Sequence, residues 1–330
     1  MNSKNNSTQS KINLSHERNP GLELDLDLIH NIRINRSAVE RRAQTSGKRR
    51  SIKKDWQAAW LLKAISCIDL TTLAGDDTPG RVKRLCEKAK HPVRRDILNS
   101  LGMDYNQFHT GAVCVYHNFI ETALASLHGT NIPVAVVSTG FPAGQISYDQ
   151  KIEEIGASVA LGASEIDIVI SRQLVLTGKW TELYNEVSAF RKACGPAHLK
   201  TILATGELGT YTNVAKASVV CMMAGADFIK TSTGKESVNA TPPVSLVMIR
   251  AIRDYFDSTG YKVGFKPAGG IGKAKQSLEW LILMKEELGN DWLSPSLFRF
   301  GASSLLGDIE RQLEHFISGR YSASYRHPMG

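Results

Sequence analysis

Residues 160–170 read ALGASEIDIVI, and residues 222–232 read MMAGADFIKTS. Both pass from the end of a helix-like stretch through Gly-Ala and an acidic residue into a short β-rich run. Gly162 and Gly225 suit the left-handed turn that ends a helix. Each run is apolar over most of its length and ends in small or polar residues. That pattern suits a parallel strand buried on both faces, with its C-terminal end open to a site.

The same alternation extends over most of the chain. β-rich runs occur at 65–73, 111–116, 132–141, 165–170, 198–206, 227–234, 262–270 and 297–304. Helix-like stretches lie between them, such as YDQKIEEIGASVALGA (148–163), WTELYNEVSAFRKACG (180–195), NVAKASVVCMMAGA (213–226) and SLVMIRAIRDYFDSTG (245–260). Eight such units in about 250 residues is the stoichiometry of an α/β (β/α)8 TIM barrel. The competing fold is a doubly wound open sheet, which would normally place Gly-x-Gly-x-x-Gly after its first strand. ISCIDLTTLAGDD (65–77) contains no such turn. Upstream, residues 24–46 allow one or two short helices, and DWQAAWLLKAI (55–65) a clearer one. The expected organisation is a basic, partly disordered extension (1–52), a barrel domain (53–320) and a short tail (321–330).

The chain has 330 residues and a formal net charge of +8. Residues 1–60 hold 12 Lys/Arg against 6 Asp/Glu, so most of the surplus belongs to the N-terminal arm. The run RRAQTSGKRRSIKK (41–54) could touch nucleic acid or a protein partner, or give nuclear access; the plainer reading is a solvated, partly helical arm. Residues 1–20 are Asn- and Ser-rich and expected to be disordered. No apolar run reaches the ~18 residues that would cross a membrane, and the polar N-terminus has no secretory h-region. The five cysteines are odd in number and form no Cys-x-x-Cys pair. A reducing, cytoplasmic setting with free thiols is expected, with neither metal nor cofactor.

In a barrel, chemistry sits at the strand C-terminal ends, and strand residues alternate in direction. Lys230 shares a face with Phe228 and Ser232, and Lys266 with Gly264. Asp167 shares a face with Glu165 and Val169, opposite three isoleucines that should meet the helices. Asp69 and Thr71, Cys114 and Tyr116, and Lys200 also occupy candidate inward positions. Lys200 could be a structural ion pair. Burying an ammonium costs several kcal/mol unless it is paired or neutral. A second ammonium nearby disfavours charge further, so one of Lys230 and Lys266 should be a neutral amine near pH 7. Such an amine attacks carbonyl carbon.

Two late turns, KPAGGIGKA (266–274) and FGASSLLGD (300–308), place small residues between a strand and its helix. Such loops hold substrate phosphate on backbone N–H groups and a helix N-terminus. The candidates are Gly269, Gly270, Gly301, Ser303 and Ser304, with Thr233, Gly234 and Lys235 from the polar run after Lys230. The Gly234-Lys235 pair is not a nucleotide P-loop. The first glycine of Gly-x-x-x-x-Gly-Lys-Ser/Thr would fall at Ile229, and Glu236 occupies the last position.

The motifs DFIKTSTGK, GFKPAGGI, ASEIDIVI, IDLTTL, AVCVY, STGFPAGQ, LKTILATGEL and RFGASSLL closely resemble the deoxyribose-phosphate aldolase family of class I aldolases. The similarity runs from about Trp56 to about Tyr321, and the long arm is like that of animal members. The resemblance implies a TIM barrel that reversibly cleaves 2-deoxy-D-ribose 5-phosphate to acetaldehyde and D-glyceraldehyde 3-phosphate, in deoxynucleoside catabolism. It assigns the Schiff base to Lys230. It gives Lys266 the role of depressing the pKa of Lys230 and Asp167 that of moving protons with Lys266 and a water. Asp69, Thr71 and Cys114 match positions near the substrate hydroxyls.

This sequence departs from the pattern at His117, where a proline is expected, and at Gly272, where a longer side chain is usual. Some bacterial members place a C-terminal tyrosine over the site, a position Tyr325 could fill. A transaldolase-like phosphosugar barrel and an RNA-binding scaffold are the alternative readings. A homo-oligomer is compatible with all three.

Overall fold

The computed structural model describes residues 18–49 and 51–328. The expectation of disorder for residues 1–20 therefore falls mainly outside the described residues. Eight strands form one parallel sheet: β1 Ile68–Thr71, β2 Ala112–Val115, β3 Val134–Ser138, β4 Glu165–Val169, β5 His198–Ile202, β6 Phe228–Lys230, β7 Gly264–Lys266 and β8 Phe300–Ala302. Every sequential pair from β1 to β7 is hydrogen-bonded, and β8 pairs β1. Parallel bridges at Phe265–Phe298 and Ala268–Gly301 complete the circle between β7 and β8. The barrel fold expected from the eight apolar runs is thus observed.

The helices between strands form the outer layer, and each of the four quoted helical stretches is a helix: Tyr148–Ala160, Trp180–Ala193, Tyr211–Met223 and Pro242–Thr259. Local chemistry sets their ends. Ser147 and Gln150 form a reciprocal capping box before Tyr148. Thr241 caps the helix that begins with Pro242 and Pro243. Gly162 and Gly225 both have left-handed φ, +101° and +93°, as the repeated joint requires. The outward strand faces, such as Ile166, Ile168 and Ile170 of the β4 region, pack with the helices in one continuous apolar core.

The inner face differs. Cys114, Ala135 and Val137 form a small apolar cluster with Leu73, Tyr116 and Phe141 packed against it. On the other side the interior is ionic, with Asp69, Asp167, Lys200, Lys230 and Lys266 all buried. Among the described residues no helix is long and apolar enough to cross a membrane. All five cysteines are buried and free.

The described part of the arm is built into the barrel. Arg18 pairs with the buried Asp227 at 2.9 Å. Asn19 donates its side-chain N–H groups to the carbonyls of Met222 and Ala226. These contacts lie at the N-terminal ends of β5 and β6, away from the strand ends expected to carry chemistry. Helices Leu26–Asn31 and Arg36–Arg49 follow, as residues 24–46 allowed. The second packs on helices Pro242–Thr259 and Ala274–Leu288. Arg42 bonds to Glu286 and Glu287, so this arginine of the basic run serves an intramolecular contact.

Candidate active site

Lys230 and Lys266 are in register on adjacent strands. Their amines converge on one oxygen: each Nζ lies 2.8 Å from Asp167 Oδ2. Lys266 also contacts Asp69 Oδ2 at 2.5 Å. The two lysines differ in what lies around them. Lys230 lines a cavity of about 530 Å³ at the strand C-terminal ends, whereas Lys266 is sealed beneath it with no exposed surface.

Electrostatics separates the pair in the same sense. Burial pushes the Lys230 amine below the ordinary lysine range, and the neighbouring Lys266 cation adds to that, against the pull of Asp167. Burial also opposes charge on Lys266, but Asp167 and Asp69 together outweigh it and hold Lys266 firmly protonated. Burial opposes the Asp167 carboxylate too. Lys200, Lys230 and Lys266 outweigh that and keep it ionised well below the usual carboxylate range. The Cys114 thiol is pushed up by burial, so it is neutral near pH 7.

Beneath these groups lies a layer of ion pairs built from the inward residues Lys200, Asp69 and Glu165 and from Arg299, which the sequence reading did not include. Lys200 pairs with Glu165, with Asp69 at 3.3 Å and with Asp167 at 3.4 Å. Lys200 is thus the ion-pair member that its inward position allowed. Arg299 adds bonds of 2.5 Å to Asp69 Oδ1 and 2.9 Å to Glu165 Oε1. Arg299 sits between Phe298 and Phe300 in LFRFG, and that alternation is the signal by which it could have been found. Asp69 is fully buried in this network and does not line the cavity, nor does Cys114; Thr71 does.

The other wall of the cavity is built from the two late turns. Thr233, Gly234, Lys235, Gly269, Gly270, Gly301, Ser303 and Ser304 all line it. Close approach demands glycine at two of these positions. A Cβ on Gly269, whose φ is +80°, would lie 2.5 Å from the Asn239 side chain; one on Gly301 would lie 2.8 Å from Ala268 Cβ. Helix Ser304–Ser318 opens onto the cavity, and no side chain caps its N-terminus. Its first N–H groups are therefore available to an anion.

The preceding helix, Ala274–Leu288, is different. Gln276 accepts from the N–H groups of Gly272 and Lys273, and Asp308 accepts from that of Ala274. The sixth loop also departs from expectation. The N–H of Gly234 donates to Glu236 at 3.1 Å, alongside that of Thr233. The Gly234 N–H is therefore engaged within its own loop, while Lys235 lines the cavity.

A buried amine at the mouth of a barrel, a charged lysine below it and an open helix end across the cavity is the geometry of a Schiff-base phosphosugar site. Residues 63–306 match the model of the DeoC/LacD family of aldolases. The chain belongs to this aldolase family. It is 63% identical over 311 residues to the deoxyribose-phosphate aldolase of Mus musculus, covering 94% of this chain and 98% of that one. It is 51% identical over 253 residues to a putative deoxyribose-phosphate aldolase of Caenorhabditis elegans, covering 76% and 80%. Among solved structures, a putative deoxyribose-phosphate aldolase from Coccidioides immitis superposes with a TM-score of 0.61 at 25% identity, over 84% of this chain and 98% of that one. The tetrameric deoxyribose phosphate aldolase of Aeropyrum pernix shares the fold, with a TM-score of 0.58 at 20% identity over 85% and 99%.

Within this aldolase barrel the departures noted above have local explanations. His117 opens a short 3-10 turn after β2 and bonds through Nδ1 to Ser158 Oγ at 2.9 Å, which ties that turn to helix Tyr148–Ala160 on the far side of β3. Gly272 lines the cavity, and a Cβ there would lie 3.2 Å from Ser304 Oγ. The glycine therefore leaves room beside the open helix end. Tyr325 is 83% exposed and does not line the cavity. His327, two residues on, is buried against Glu314 and Glu310.

Proposed function

We propose that this enzyme reversibly cleaves 2-deoxy-D-ribose 5-phosphate to acetaldehyde and D-glyceraldehyde 3-phosphate, with Lys230 as the Schiff-base residue. The observation that carries the assignment is the asymmetry of the lysine pair: Lys230 faces the cavity with a depressed pKa, and Lys266 is buried and held charged. The high identity to deoxyribose-phosphate aldolases along nearly the whole chain supports the substrate.

The neutral Lys230 amine attacks C1 of the open-chain sugar. Loss of water leaves an iminium, which withdraws electrons from the C2–C3 bond. Removal of the C3 hydroxyl proton breaks that bond, releases glyceraldehyde 3-phosphate and leaves an enamine on Lys230. Protonation at C2 regenerates an iminium, and its hydrolysis frees acetaldehyde. Lys266 and Asp167 sit 2.8 Å apart beside the amine and form the proton-transfer pair, working through water. Such transfers contribute roughly 10²–10⁴-fold. The phosphate rests on the open N-terminus of helix Ser304–Ser318 and the glycine turns, with Lys235 as counter-charge. Thr71 lines the same cavity and is placed for a sugar hydroxyl. Asp69 acts on the sugar indirectly, through Lys266, and the neutral Cys114 thiol packs on the opposite inner wall.

The partner is accordingly a small phosphosugar. Of the described basic side chains of the arm, Arg18 and Arg42 are engaged in ion pairs within the chain, whereas Arg36 and Arg41 are exposed. Incubation with 2-deoxy-D-ribose 5-phosphate should release acetaldehyde and glyceraldehyde 3-phosphate in equal amounts. In the reverse direction acetaldehyde should be preferred as donor. Preference for a dihydroxyacetone unit would favour the transaldolase-like reading instead.

A further inference from the structure

The ion network under the lysine pair contains more than the proposed chemistry uses. Four basic groups, Lys200, Lys230, Lys266 and Arg299, meet three carboxylates, Asp69, Glu165 and Asp167. All seven are buried, and Lys230 alone opens to the cavity. With every group ionised the cluster would carry one surplus positive charge in a low-dielectric interior. It balances when one base is neutral. Arg299 retains its proton under all ordinary conditions. Lys266 and Lys200 each touch two or three carboxylates, whereas Lys230 touches one. Lys230 is therefore the base that gives up its proton most readily.

We infer that Arg299 and Glu165 are positioning residues that set the charge state of Lys230 from beneath, by fixing the number of buried charges. Neither lines the cavity, so both act through Asp69, Lys200 and Asp167. This rests on the Schiff-base reading of Lys230 and extends it to a layer that touches no substrate. The groups facing the cluster are Asp69 from β1, Cys114 from β2, Asp167 and Glu165 from β4, Lys200 from β5, Lys266 from β7, and Arg299 from the segment that enters β8. His198, in register with Glu165, lies at the lower end. Each single substitution changes the count by one charge whatever state His198 holds.

The signs follow directly. Arg299→Met removes a cation. The surplus carboxylate is then compensated by the most basic neutral group available, which is Lys230, so its amine regains a proton. Glu165→Gln removes an anion and favours the neutral amine further. Arg299→Lys keeps the charge.

The test is the pH dependence of reductive capture of acetaldehyde on Lys230, read by mass spectrometry of the intact chain and of the Lys230 peptide. Capture needs the free amine, so its midpoint reports Lys230. The midpoint should move up by roughly one pH unit in Arg299→Met and down in Glu165→Gln. It should return toward the parent value in the double variant and stay in place in Arg299→Lys. Midpoints that do not move, or that move in the same direction in both single variants, overturn the inference. If Arg299→Met does not fold, Glu165→Gln alone decides: a downward shift supports the inference, and no shift or an upward one defeats it. Absence of capture on Lys230 in the parent enzyme overturns the Schiff-base reading along with this one, and is distinguishable from a missing shift.

Discussion

Lys230 and Lys266 have the same side chain, neighbouring positions and a shared partner oxygen, yet their environments push their pKa values in opposite directions. Lys266→Met should lower kcat/KM by roughly 10²–10⁴-fold through lost proton transfer. It should also move the acid limb of the pH profile upward. The cation that disfavours charge on Lys230 is gone, so the amine is neutral only at higher pH. A pH–rate profile of the variant checks both effects, and an unshifted limb would separate Lys266 from the tuning of Lys230. Both lysines and Asp167 were legible in the sequence, because a charged residue in step with apolar strand residues has few other reasons to be there. Arg299 was not, since one arginine between two phenylalanines reads equally as a strand edge. The partners that give it meaning, Asp69 and Glu165, lie 230 and 134 residues away.

Each strand and the turn that follows it act as a unit, and the turns after β7 and β8 both line the cavity that the proposed mechanism gives to the phosphate. Both were expected to offer a helix N-terminus. Only Ser304–Ser318 presents an uncapped one, because Gln276 and Asp308 fill the other. A side chain's choice between capping and exposure depends on tertiary placement, as Asp308 shows by reaching back from the following helix. Gly269→Ala should strain a left-handed residue, at about 1–2 kcal/mol, and push on Asn239. The KM for the phosphosugar should then rise about tenfold. Capture of acetaldehyde, which carries no phosphate, should be unchanged. Equal losses in both assays would mean the glycine supports the fold instead of the phosphate. The strands themselves were legible because burial on both faces demands runs that are apolar over most of their length. Short helices such as Arg95–Ser100 and Arg172–Leu176 are too brief to show a period.

At the scale of the whole molecule, the arm and the barrel form one packed body over the described residues. The sequence presents the arm as a basic extension, and its charge count is right. Nothing local in it shows that Arg18 reaches Asp227, which also accepts from the backbone of Asn19 and Leu199. Arg18→Ala would leave that buried carboxylate without its ion-pair partner and should cost up to about 3–5 kcal/mol of stability, measurable by chemical denaturation. Removal of residues 1–52 should lower thermal stability further, while activity at low temperature is retained by whatever fraction stays folded. A truncated chain as stable as the full one would show the arm to be an independent appendage. In the proposed mechanism the barrel brings β4, β5, β6 and β7 together so that one lysine of three becomes a nucleophile. Borohydride reduction in the presence of acetaldehyde, followed by peptide mapping, tests this most directly. The account predicts a single ethyl adduct on Lys230, lost in Lys230→Ala together with turnover. An adduct on Lys200, on Lys266 or on no lysine at all would contradict it.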